Sequence, residues 1–152
     1  MRRTTWILVA DGARARIISR VVEGFGACAD TTISEPYNFE EERSPGRELT
    51  RERPTRVHDR FGPGRHAVEP KQDASRKMVT RFATEIADML SASLKARGFD
   101  RLIVVAPPAM LGDLRKSLSN HVRAKVIAEI DKDMTKAGIP EVMKHIEAGY
   151  IG

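Results

Sequence analysis

A single α/β domain on a five-stranded mixed sheet is the fold that this 152-residue sequence predicts. Three observations carry the prediction. Asp11-Gly12 lies between two runs of β-forming residues, a strong hairpin signal. Residues 78–94 carry an apolar stripe at helical spacing. Two short apolar runs, 102–106 and 126–130, are separated by a second helical pattern, as expected of parallel strands joined by a crossover.

Residues 6–10, Trp-Ile-Leu-Val-Ala, form the first expected strand, and residues 13–22 form the second, with Ile17, Ile18, Val21 and Val22. Gly24-Phe25-Gly26 marks a turn. Residues 27–34 read as a weaker third strand through Thr31, Thr32 and Ile33, ended by Glu35-Pro36. From about residue 38 to 73 no periodicity holds. Pro45, Gly46, Pro54, Gly62, Pro63, Gly64 and Pro70 break helix and strand alike, so a long flexible loop is expected. A helix follows over about 74–97, with Asp73 as N-cap and Gly98 at its C-terminal turn.

Residues 102–106 read as a buried strand closed by Pro107-Pro108, and Leu111, Leu114 and Leu118 give the next helix its stripe. Residues 126–130 read as another buried strand, ended by Asp131-Lys132-Asp133. A last helix is expected over about 140–148. Three strands joined by turns imply an antiparallel meander, and right-handed crossovers add the later two on its other side. The resulting strand order is 3-2-1-4-5, a ribonuclease-H-like plan with helices on both faces, in one domain spanning 1–152.

Composition narrows the function. The net charge is +5 and the pI about 9.7, which favours anionic partners. Aromatic residues make up 5% of the chain, few for stacking bases on rings. Cys28 is the only cysteine, which excludes an intrachain disulfide and a multi-cysteine zinc site. It is expected to be packed in the third strand. The apolar run after Arg2-Arg3 is too short for a signal segment, and no run has membrane-spanning length. A cytoplasmic location is expected.

The candidate binding residues lie in the long loop. Arg43, Arg47, Arg51, Arg53, Arg56, Arg60 and Arg65 face only Glu48, Glu52 and Asp59 between residues 43 and 65. The guanidinium fork suits bidentate phosphate contact, and arginine-rich segments order on RNA. A solvated loop of mixed charge is the alternative. Gly62-Pro63-Gly64 would present Arg65 and His66 at a tip, and it is not the Gly-x-x-x-x-Gly-Lys-Ser/Thr phosphate loop. The catalytic candidates are Asp11 and His66. Asp11 ends the first strand, where a nuclease of this plan would hold a metal, with Asp131 and Asp133 after the fifth. Such chemistry needs more converging carboxylates, and hairpin chemistry already accounts for Asp11. His58, Asp59, His66 and Glu69 match no helical ligand spacing, so neither a metal site nor a cofactor is expected.

Four stretches together resemble a bacterial family named for proteins required for attachment to host cells. They are Trp-Ile-Leu-Val-Ala-Asp-Gly-Ala-Arg-Ala-Arg-Ile at 6–17, Gly-Arg-His-Ala-Val-Glu-Pro at 64–70, Leu-Ile-Val-Val-Ala-Pro-Pro-Ala-Met-Leu-Gly-Asp-Leu-Arg at 102–115, and Asp-Lys-Asp-Met-Thr-Lys at 131–136. That family is similar to bacterial versions of the middle domain of archaeal and eukaryotic peptide-chain release factors. In those factors a Gly-Gly-Gln tip promotes peptidyl-tRNA hydrolysis. This sequence contains no Gly-Gly-Gln, and residues 62–66 are the nearest counterpart. The resemblance therefore implies an RNA- or ribosome-associated module without catalysis. A cytoplasmic protein-interaction module is the alternative partner class. A peptidyl-tRNA hydrolase or metal-dependent nuclease is the enzymatic one.

Overall fold

The computed structural model describes residues 1–40 and 68–149. Their sheet has five strands: β1 (Arg2–Ala10), β2 (Arg14–Glu23), β3 (Asp30–Glu40), β4 (Arg101–Ala106) and β5 (Val126–Asp131). The strand order is β3-β2-β1-β4-β5, as expected. β1 pairs antiparallel with β2 and parallel with β4. The helices are α1 (Val68–Lys95), α2 (Pro108–Ser117), α3 (Asn120–Arg123) and α4 (Ile139–Gly149).

Side chains alternate across the central strands and build two cores. Trp6, Leu8 and Ala10 of β1 face Phe82, Ile86 and Leu90 of α1, Met110 and Leu114 of α2, and Val122 of α3. Ile7 and Val9 face the opposite way, onto Val142, Met143 and Ile146 of α4. Residues 6–10 and 102–106 are buried on both faces, which is why they read as unbroken apolar runs. Arg76 of α1 donates a fork to Asp113 of α2 at 2.8 and 3.0 Å. The Asp113 side chain is buried, and its carboxylate raises Arg76 above its ordinary pKa.

Several boundaries differ from expectation, each for a physical reason. β3 does not stop at Glu35-Pro36 but runs on to Glu40. In the β2–β3 register, Ser34 pairs with Ser19 and Tyr37 with Ile17, so Glu35 and Pro36 together oppose Ile18. That bulge, on an edge strand, absorbs a proline that cannot donate to the ladder. β3 also starts later than expected. Gly24 and Gly26 adopt φ of 103° and 54°, and a short 3-10 turn, Gly26–Cys28, precedes the strand. Cys28 is consequently exposed and not packed in a strand. A Cβ at Gly24 would lie 3.2 Å from the Ala29 Cα, so the turn needs glycine twice over.

α1 begins at Val68, not at 74, and Asp73 lies within it. Pro70 falls in the first turn, where the missing amide breaks no intrahelical bond. With residues 38–40 in β3, the stretch between described elements is 41–67. β5 is the sheet edge and not a buried strand. Only Ile130 is buried, and Ile127 is 43% exposed.

The C-terminus of α1 closes with the Gly98 amide on the Ser93 carbonyl at 2.8 Å and the Arg97 amide on the Leu94 carbonyl at 2.9 Å. This is a Schellman arrangement whose left-handed residue is Arg97, at φ 61°. Gly98 serves close approach instead, since a Cβ there would stand 3.1 Å from the Ser93 oxygen and 3.5 Å from the Trp6 ring. A left-handed non-glycine residue costs about 1–2 kcal/mol, and glycine loses roughly 0.5–1 kcal/mol in chain entropy. Arg97→Gly is therefore expected to stabilise the fold by about 0.5 kcal/mol, read as a raised urea midpoint at unchanged slope.

Candidate functional site

The carboxyl ends of β1, β4 and β5 lie at one end of the sheet, the usual place for ligands in open α/β folds. Asp11 stands there, one residue past β1. Its Oδ1 accepts from the Ala13 and Arg14 amides at 2.7 and 2.8 Å, which caps the β1–β2 turn. Its Oδ2 accepts from the Thr135 hydroxyl at 3.1 Å. That hydroxyl also reaches Asp133 Oδ1 at 2.7 Å, so its one proton is shared between two carboxylates. The Thr135 amide donates to the same Asp133 oxygen at 3.1 Å. The Thr135 hydroxyl and amide, then Lys136 and Arg14, hold the Asp133 carboxyl below its ordinary range.

Arg16 completes this lattice. Its side chain is 9% exposed and forms a fork with Glu35, Nε to Oε2 and NH2 to Oε1, both at 3.2 Å. Its remaining donor, NH1, serves the carbonyls of Thr135, at 3.3 Å, and Ala137. Asn38 donates to Glu35 at 2.7 Å. The β3 bulge is what turns Glu35 toward Arg16, since Arg16 itself pairs in register with Asn38. Arg16, foremost by its hydrogen bonds, holds the Glu35 carboxyl below its ordinary range. Together these groups pin the β5–α4 connection to the hairpin and to β3.

The pinned connection frames a pocket of about 770 Å³. Lys132, Asp133, Met134, Lys136 and Ala137 line it from the connection, and Glu141, Lys144 and His145 from α4. Three lysines and a histidine thus share one concavity with two carboxylates. With Asp133 and Glu141 ionised and His145 neutral, three lysines against two carboxylates leave the lining a net charge of +1, a mildly cationic surface.

The sequence-predicted residues divide sharply. Arg43, Arg47, Arg51, Arg53, Arg56, Arg60, Arg65 and His66 lie outside the described residues, as do His58 and Asp59. Asp11 holds a turn and a threonine. Asp11 and Asp133 come together through Thr135. No group of three or more His, Cys, Asp or Glu side chains that could hold a metal occurs among the described residues. The lysine pocket was missed by sequence reasoning. Its signal was there, in Lys132 and Lys136 spaced four apart and in Lys144-His145 one helix later.

The model of the family described as "Protein required for attachment to host cells" matches residues 6–146. The chain belongs to this family. No curated protein matches it. The family match opens at Trp6 in β1 and closes at Ile146 in α4, so Asp11, the Asp133–Thr135 pair and all the pocket residues fall within it. No described helix of this host-attachment family member is long and apolar enough to cross a membrane.

Proposed function

We propose that this host-attachment family member is a cytoplasmic RNA-binding module that grips backbone phosphates with the lysine pocket and does no chemistry on them. The carrying observation is the convergence of Lys132, Lys136, Lys144 and His145 on one concave surface. Lysine ammonium groups act there as point charges for phosphate oxygens.

The described elements on either side of the arginine-rich stretch support the same reading. Glu40, the last residue of β3, pairs with Arg14 beside the β1–β2 turn. α1 passes Gly12 at Val79 and reaches Trp6 only near Gly98, so it enters at that same end of the sheet. The two described elements that flank residues 41–67 thus meet the end of the sheet that carries the lysine pocket. The release-factor likeness favours tRNA or the ribosome as the RNA. The lack of Gly-Gly-Gln removes the group on which hydrolysis would depend.

The test is binding of purified tRNA across a salt series. Phosphate neutralisation releases counterions, so log K should fall against log salt with a slope of about −3 or steeper. The double variant Lys136→Glu, Lys144→Glu is expected to weaken binding by at least about tenfold and to make the slope shallower by about one per lysine. Replacing Arg51, Arg53, Arg56 and Arg60 with alanine should weaken it further. Affinity independent of salt and of these residues rejects the reading. Protein partners captured equally after nuclease treatment would then favour an interaction module.

A further inference from the structure

A second cationic cluster lies on the same face of the sheet, at its opposite end, and the lysine pocket does not use it. In the strand register, Arg20 of β2 stands beside Thr5 of β1, and Thr5 beside Arg101 of β4. Arg3 is two residues before Thr5 and so projects from the same face. That face is the one α4 covers, through Ile7 and Ile103 one step along. α4 is only 11 residues long and ends here, bringing Glu147 to the cluster. Glu147 Oε2 stands 3.5 Å from Arg20 Nε.

The cluster is under-compensated. The Arg20 side chain is 12% exposed, and its Nε is buried with no hydrogen-bond acceptor. A buried donor left unsatisfied is costly, and few occur in folded proteins without a reason. Arg101 donates its Nε to the buried Thr5 hydroxyl at 3.2 Å, a neutral partner for a cation. Burial first, then the charges of Arg3 and Arg20, lowers the Arg101 pKa, and Asp100 offsets them only in part. Asp100 is itself committed to the Thr4 amide at 2.8 Å. Arg20 and Arg101 thus flank Thr5 in one row, with Arg3 on the same face one step away, and the Arg20 Nε is left without an acceptor. Glu147 stands at ion-pair distance from Arg20, while the Arg101 Nε goes to a neutral hydroxyl, so the positive charge of the cluster is only partly matched.

We infer that Arg3, Arg20 and Arg101 form an oxyanion site that takes a single phosphate group, distinct from the lysine pocket. A tetrahedral oxyanion presents several acceptors and suits forks converging from neighbouring strands. The site stands whether or not the lysine pocket binds RNA.

The experiment is a titration of the full chain followed by the arginine Nε–Hε resonances, with inorganic phosphate, a nucleoside monophosphate and a short RNA in separate arms at constant ionic strength. The expected result is a saturable shift of the Arg20 and Arg101 resonances. Arg3→Gln, an exposed position that leaves the core intact, should weaken the response by about tenfold, the loss of one charge-assisted contact. A response to phosphate itself assigns a small-molecule anion. A response confined to RNA assigns a polymer phosphate to the same groups. Resonances that stay still in all three arms, or that move equally with chloride, overturn the assignment.

Discussion

Arg16→Met should destabilise the fold by about 3 kcal/mol, measured by urea unfolding at neutral pH. Methionine fills the volume but supplies no donor. Glu35, whose side chain is 19% exposed, would lose its fork, and the carbonyls of Thr135 and Ala137 would lose their shared partner. Breaking one half of a buried pair costs roughly 3–5 kcal/mol, and the residual exposure of Glu35 argues for the lower end. The pH dependence has a definite sign. Arg16 lowers the Glu35 pKa from 4.5, so this stabilisation is fully present above that value and is lost as pH falls through the folded-state value. The variant should therefore show a shallower loss of stability in acid than the wild type. Some acid sensitivity should persist, because Asp133 is depressed in the same direction by Thr135.

Asp11→Ala carries the next largest effect, about 2–3 kcal/mol. It strands two backbone amides at the hairpin and frees the Thr135 hydroxyl from its second acceptor. Asp11→Asn keeps the Oδ1 acceptor that caps the turn and should cost less than about 1 kcal/mol. Equal losses in the two variants would mean that the charge, and not the turn geometry, is what Asp11 contributes. Because the β5–α4 connection hangs on this network, Asp11→Ala should also loosen Lys132 and Lys136. Amide exchange at those residues checks it.

The sheet was legible where local pattern and global burial agree. Ile7, Val9, Ile103 and Val105 are apolar on a face that α4 covers, and their neighbours are apolar on the other, so continuous runs marked β1 and β4 correctly. Asp11-Gly12 marked its turn because the same short-range chemistry, an aspartate accepting from the following amides, operates in the fold. Features that depend on a partner strand were not legible. Pro36 reads as a terminator until its bulge against Ile18 is known. Pro70 reads as a breaker, though the first turn of a helix tolerates it. Arg97 holds the left-handed cap that Gly98 advertised. β5 was taken as buried because Ile127 completes an apolar run, yet it sits on the edge, where one side of the ladder is open.

The functional residues divide in the same way. Asp11 drew notice as a metal ligand because strand-end carboxylates do so in nucleases, but its partners are amides and a threonine. Arg16 and Glu35 lie 19 residues apart and meet only through the bulge. The cationic pocket draws Lys132 and Lys136 from a connection and Lys144 and His145 from a helix. The two segments adjoin in sequence, and the packing of Met134, Ala137 and Ile139 with α4, together with the Arg16 and Thr135 bonds, brings them to one place.

The most direct measurement is the amide footprint of a short structured RNA on the full chain, by chemical-shift perturbation at two salt concentrations. Phosphate binding in the lysine pocket predicts shifts at Lys132, Lys136, Lys144 and His145 that shrink as salt rises. Shifts confined to the β5 edge or to α2 and α3, with those four residues unmoved, would contradict it.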